Sequence, residues 1–391
     1  MAGLADRRVV RPDWYTGPLV ILVVAAIVGW SAREFLAMHR REPIVAGPGV
    51  SRREMLSAYF TRLAGTPADT PVYILDGPEA GGTVLILGGT HPQEVAGFLA
   101  AVVLIENARV QKGRLIVIPQ ANASGFSHTD SLEAFPHFFE VPTPHGPRWF
   151  RNGMRLANPI HRWPDPDIFV HPASGERLVG HEIRNLNRVF PGRPAGTFVE
   201  RLAYAITSLI RRESVDVVLD LHEAYPEYPV INTIVAHERA LKIATIASLN
   251  MRLEGIRIRV DRSPKNLHGL SHRELGDHTR AYALLAETAN PAMGRFRGRT
   301  DARLVTEGAD PNYVAAARLG RLFVEFTNAG HPLHVRVARH LATVSEVIKA
   351  FGEEVPAMQV VVVGIPPYEA LVKSGIGAYL RPVPPGSAKR Q

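Results

Sequence analysis

The 391 residues are 46% hydrophobic and 21% charged, with glycine and proline spread evenly, which excludes extensive disorder and leaves room for a sizeable α/β core. The formal net charge of +8, carried mostly by arginine, suits an anionic substrate or a membrane surface. No helix-turn-helix, zinc-finger or RNA-binding signature points to nucleic acid, and the absence of cysteine excludes disulfides, thiolate metal sites and a cysteine nucleophile.

In chain order, a short tail (1–13) precedes "WYTGPLVILVVAAIVGWSA" (14–32), which carries no charge. A helix of that length spans about 28 Å, close to the ~30 Å hydrocarbon thickness of a bilayer. Trp14, Tyr15 and Trp30 sit near its two ends, where aromatic rings favour the interface. No convincing small-x-small cleavage site precedes "EFLAMHRRE", so the pattern predicts an uncleaved single-pass anchor over 14–38 rather than a signal peptide. Arg7, Arg8 and Arg11 before it balance Arg33, Arg40 and Arg41 after it, so the positive-inside rule hardly discriminates. An anchor in the cell membrane with the remaining chain extracytoplasmic (periplasmic) is the expected arrangement.

Residues 39–50, "HRREPIVAGPGV", read as a linker. Beyond it, short apolar runs at 72–76, 83–87, 114–119, 216–221, 231–236, 282–287 and 322–326 read as buried strands. Helical periodicity at 94–107, 197–212, 237–250 and 333–351 alternates with them. The alternation predicts an α/β fold with a mixed, mostly parallel sheet covered by helices on both faces. The stretch 127–196 has no clear period but many aromatics, which favours a folded functional loop region.

"ILGGTHPQEVAG" (86–97) sets His91 at a strand exit and Glu94 at a helix start. Helix capping by Thr90, with Gln93 reaching back, accounts for the glutamate but not for a histidine beside Gly88-Gly89. In "VVLDLHEAYPEY" (217–228) a second strand runs into Asp220 and His222. That is awkward for a core and natural at the carboxyl end of a strand, where open α/β sheets bind ligands. His91, Glu94 and His222 supply a His₂Glu donor set suited to a zinc ion with one open position.

The ordered segments "GGTHPQE", "IPQANASGF" (118–126), "RWFRNGMR" (148–155), "NLNRVFPG" (185–192), "LDLHEA" (219–224) and "LLAETANP" (284–291) resemble the zinc carboxypeptidase superfamily, within it the succinylglutamate desuccinylase/aspartoacylase branch. The resemblance covers roughly residues 70–350. It implies one zinc per chain on His91, Glu94 and His222. Arg151 resembles the arginine that polarises the scissile carbonyl, with Arg148 and Arg155 in the same segment. Asn187 and Arg188 resemble the pair that grips a substrate carboxylate, for which a guanidinium fork is suited. The family's base ends a strand downstream of the third ligand; Glu287 is the expected base and Glu325 the alternative.

The domain expectation is thus an anchor, a zinc hydrolase domain over 51–351 and a C-terminal extension over 352–391. The expected activity is cleavage of an amide beside a free carboxylate, by an N-acyl-amino-acid deacylase. A metallocarboxypeptidase acting on peptides or cell-wall fragments is the alternative, and an inactive anchored binding protein the rival from another class. Among other polar groups, His237, His331 and His334 read as surface or capping residues. His272 reads as a possible substrate contact, and Arg295, Arg297 and Arg299 as a basic loop.

Overall fold

The uncharged N-terminal run folds as one helix, α1 (Thr16–Ala37), with none of its side chains buried. It is long and apolar enough to cross a membrane. The computed structural model describes residues 14–37, 39–129 and 135–384. The expected tail (1–13) and residues 385–391 of the expected extension lie outside the described residues.

A separate folded unit begins at Glu42. Its strands are β1 (Arg52–Met55), β2 (Pro71–Asp76), β3 (Glu79–Leu87) and β4 (Arg109–Ile118) in the first part of the chain. β5 (Phe138–Val141) with β6 (Arg148–Arg151), and β7 (Ile168–Val170) with β8 (Arg177–Val179), form two small hairpins inside the region that lacked periodicity. β9 (Val217–Ala224), β10 (Thr233–Ala236), β11 (Arg259–Arg262), β12 (Tyr282–Ala289) and β13 (Val361–Val363) follow. The main sheet runs β1-β2-β4-β3-β9-β12-β10-β11, with β13 joining β4. Its centre, β4-β3-β9-β12, is parallel, and antiparallel pairs flank that centre.

Parallel strands must be buried on both faces because their crossovers lay helices there. On one face lie α2 (Val95–Asn107), α4 (Leu241–Leu253) and α8 (Leu333–Glu354); on the other lie α3 (Phe198–Arg212) and α5 (Ser271–His278). β9 shows why the sequence reads as a continuous apolar run: all eight of its residues are buried. Val217, Leu219 and Leu221 feed one core and Val218 the other. The short helices α6 (Ala302–Glu307), α7 (Pro311–Arg318) and α9 (Tyr368–Ser374) complete the unit.

Three expectations change. The linker over 39–50 gives way to packed chain from Glu42 onward, because Gly47 N–H donates to Ile105 O at 3.1 Å and Val45 N–H to Glu106 Oε1 at 3.3 Å. The glycines there serve close approach: a Cβ at Gly47 would lie 2.3 Å from Glu106 O. The strand over 322–326 does not form; Phe323 N–H bonds to Pro226 O, so the segment crosses a loop instead of joining a sheet edge. Residues 352–384 pack into the same unit, since β13 pairs with the start of β4 and Arg381 N–H reaches Glu106 Oε2 at 2.6 Å.

Candidate metal centre

β3 and β9 are hydrogen-bonded parallel neighbours, so the chain leaving β3 and the end of β9 open on the same edge of the sheet. That topology brings His91, Glu94 and His222 together across 131 residues of sequence. His91 Nδ1 lies 2.7 Å from Glu94 Oε1, His222 Nδ1 2.8 Å from Glu94 Oε2, and the two Nδ1 atoms are 3.1 Å apart. All three side chains are buried, and their donor atoms lie within 4.8 Å of one another.

The outer nitrogens are held from behind. His91 Nε2 is 3.0 Å from Asn185 Oδ1, which places the ring proton there and turns the Nδ1 lone pair inward. His222 Nε2 is 2.9 Å from Asp220 Oδ2, without hydrogen-bond alignment. Asp220 is itself fixed by Thr90 Oγ1 at 2.8 Å and Ser271 Oγ at 2.6 Å. Two inward imidazole nitrogens and one carboxylate, each braced from behind, fit a divalent ion of zinc's chemistry.

The helix-capping reading of this segment fails. Thr90 is committed to Asp220, and Gln93 Oε1 accepts from Arg155 N–H at 3.2 Å. The open N–H of Ala96 is capped from β9 by Glu223 Oε2 at 2.9 Å, which leaves Glu94 free for the site. Glu223 is paired with buried Arg336 at 2.6 Å, and its own N–H donates to Glu94 Oε2 at 3.0 Å.

Burial opposes charge on all three side chains, and neighbours decide the outcome. Burial, aided by Arg155, pushes His91 down to about 4. Burial also disfavours charge on His222, but Asp220 and Glu94 outweigh it and raise its pKa well above 6.5. The two imidazoles likewise overcome burial and hold Glu94 well below the usual carboxylate range.

Glu287 stands directly across from His222 in the β9–β12 register. Its Oε2 has no hydrogen-bond partner among the described residues. Burial first, then the charge of Glu94, lifts its pKa well above the ordinary value. Glu325 is elsewhere: its exposed carboxylate meets Arg257 at 3.3 Å, so it is corrected out of the site.

The arginine assignment is also corrected. Arg151 is buried and committed to Glu42, Nε to Oε2 at 2.5 Å, because the chain after the N-terminal helix packs back on β6. Arg148 is spent on Glu106 and Pro43 O. Arg155, partly exposed, places Nη1 3.2 Å from His91 Nδ1 and 3.5 Å from Glu94 Oε1.

Asn187 is buried beside the ligands, its Oδ1 accepting from Ser271 N–H at 2.7 Å. Arg188 has no carboxylate ion pair among the described residues; burial, then the nearby Arg155, lowers its pKa. His272, at the start of α5, is buried against Ser263 Oγ at 2.8 Å and pushed down to about 3 by burial and by His222. His237 caps a helical turn through Arg239 N–H, and His331 is tied to Glu325 O, both away from the ligands. Asn185, Ser271 and Glu223, which contact His91, Asp220 and Glu94, were not singled out in the sequence. Only the position of Asn185 and Glu223 beside named motif residues hinted at them.

Residues 171–289 match the model of the succinylglutamate desuccinylase/aspartoacylase catalytic domain. The chain resembles that hydrolase family. The matched stretch contains Asn187, Arg188, His222 and Glu287. A succinylglutamate desuccinylase/aspartoacylase from Rhodobacter sphaeroides is 21% identical over 62% of this chain and 60% of its own, with a TM-score of 0.36. The product-bound cell shape determinant protein from Helicobacter pylori is 14% identical over 78% and 60%, TM-score 0.44. A metallo-carboxypeptidase from Burkholderia cenocepacia is 12% identical over 76% and 68%, TM-score 0.42. The chain thus spans about 60% of the length of the first two. No curated protein matches it.

Proposed function

We propose that the protein is a membrane-anchored, zinc-dependent hydrolase that cleaves an amide bond next to a free carboxylate, as an N-acyl-amino-acid deacylase. The observation that carries this reading is the convergence of His91 Nδ1, His222 Nδ1 and the Glu94 carboxylate, with Glu287 Oε2 lacking a partner among the described residues.

His91, Glu94 and His222 would hold the ion, which supplies a Lewis-acidic centre and acidifies water toward a pKa of ~7. Glu287 takes the proton of the attacking water and returns it to the leaving amine, so the C–N bond is exchanged for a carboxylic acid and a free amine. Its raised pKa suits both halves of that transfer. Arg155, rather than Arg151, stabilises the charge that grows on the carbonyl oxygen. Asn187 and Arg188 orient the substrate carboxylate, Arg188 having no carboxylate ion pair among the described residues. α1, long and apolar enough to cross a membrane, supports the anchor; the folded unit is proposed to be extracytoplasmic.

The test is the metal content of the purified chain beside its His222→Ala variant, followed by amine release from N-acyl amino acids and from short peptides. About one zinc per chain, lost in the variant, with amine released from the acyl amino acids, is the expected result. No zinc after supplementation would sink the hydrolase reading. Release from peptides alone would move the assignment to a carboxypeptidase.

A further inference from the structure

A second cleft lies along the sheet edge that carries the metal centre and shares none of its ligands. In the strand register Glu287 stands across from Thr233 of β10, and Thr233 across from Arg259 of β11. Arg259 is therefore two strand spacings, about 10 Å, from Glu287. The cleft measures about 950 Å³ and sits where the chain enters β10 and β11. Arg252 of α4 and Arg339 of α8 line it from the helical layer, and the loop through Phe323, Val324 and Glu325 completes the lining. That loop is the segment with the composition of a strand, and Phe323 N–H holds it to Pro226 O at 2.9 Å.

The charge in the cleft is unbalanced. Four guanidiniums, those of Arg252, Arg257, Arg259 and Arg339, face one carboxylate, that of Glu325. Glu325 pairs with Arg257 at 3.3 Å, and both side chains lie open to solvent, where such a pair is screened. The other three arginines spend their hydrogen bonds on backbone carbonyls. Arg252 Nε donates to Ile258 O at 3.2 Å, Arg259 to Pro229 O and Ile231 O, and Arg339 to Arg257 O. None of these three has an ion pair among the described residues. The carbonyls fix each guanidinium and leave further N–H groups for a ligand. Arg339 is half-buried, and burial disfavours its charge. A cation is thus held partly out of water without a counter-charge, which is costly. His331, pushed down to about 4 chiefly by burial, adds no charge at neutral pH. Phe323, 57% exposed, and Val324 supply apolar surface on the loop side.

Guanidinium forks bind carboxylate and phosphate oxygens bidentately, and a mixed apolar and cationic lining of this size suits a small molecule. We propose that this cleft is a second ligand site, taking a small organic anion with at least two negative charges, as carboxylates or a phosphate, on an apolar body. Arg259 and Arg339 hold the charged groups, and Phe323 packs on the body. The site stands whether or not the metal centre is a hydrolase.

The test is calorimetry on the purified full chain in non-ionic detergent, at ~0.15 M salt to screen diffuse attraction to a basic protein. Two probes are used, phenyl phosphate and benzene-1,3-dicarboxylate. At least one is expected to bind one-to-one, and the tighter of the two names the acid group the cleft takes. Arg259→Gln and Arg339→Gln should each weaken that binding about tenfold or more. Arg303→Gln, which removes the same charge from an exposed position on α6, should not change it. His222→Ala should bind as the unaltered chain does. Melting temperatures are read on the same samples; Arg259 is exposed, so its variant carries the test if Arg339→Gln unfolds early. Binding of neither probe overturns the proposal, as does equal binding in Arg259→Gln. Loss of binding in His222→Ala would put the anion on the metal centre and also overturns it.

Discussion

Arg151 and Arg155 lie four residues apart, and substituting each by methionine separates stability from catalysis. Arg151→Met strands the Glu42 carboxylate, which is 5% exposed, without its cation. Breaking one side of a buried pair costs about 3–5 kcal/mol. A unit of about 350 residues unfolds with an entropy of roughly 0.7 kcal/mol per degree, so Tm should fall by about 4–7 °C. Arg155→Met removes a partly exposed cation whose neighbours are site ligands. Tm should move by less than about 1 °C, whereas losing one donor to a developing oxyanion costs about 10²–10³ in kcat. Differential scanning fluorimetry and amine release with an N-acyl amino acid report the two quantities on the same samples. If Arg151→Met lost kcat at unchanged Tm while Arg155→Met stayed active, the assignment of the two arginines would be reversed.

Glu287→Gln should lower kcat by about 10²–10⁴ with zinc content unchanged, and Glu325→Gln should leave both as they are, checked by steady-state kinetics and metal analysis. His222, raised by Asp220 and Glu94, keeps its proton well above pH 6.5. Zinc added to chelator-treated protein should therefore displace about one proton, and affinity should rise with pH, both read by calorimetry in two buffers. With metal removed, the raised His222 pKa contributes stability that is complete below ~6.5 and lost as pH rises through the folded value, so the Tm of that form should decline on the alkaline side. Arg336→Met should leave Glu223 unpaired, lower Tm by a similar ~4–7 °C and weaken zinc binding about 10–100-fold; a variant with full zinc affinity would show that Glu223 does not brace the ligands.

The donor set was legible in the sequence because each ligand stands at the exit of an apolar run, and a buried strand has little other use for Asp220 and His222. The seven expected strands became six, since "LFVEF" has the composition of a strand but no free sheet edge to join. β1, β11 and β13 were not seen: at three or four residues each, pairing to a neighbour rather than periodicity defines them. Arg151 and Arg155 were indistinguishable by spacing. What divides them is Glu42, 109 residues away in sequence, and no local pattern carries that information. α5 has no apolar period to announce it because its eight residues are mostly polar, and contacts to Asn187 and Asp220 fix its first turn.

The cap on α2 has a consequence for assembly. The N-terminus of that helix is completed by Glu223, and Glu223 is neutralised by Arg336, so the segment bearing His91 and Glu94 is finished by residues 127 and more than 200 positions later. During synthesis at ~5–20 residues per second, a ribosome must add the whole stretch to Arg336 before that turn can be held in place. A nascent chain therefore presents two of its three donors for many seconds as a loose pair. On the proposed reading, tight metal affinity requires that α8 has docked and brought Arg336 to Glu223.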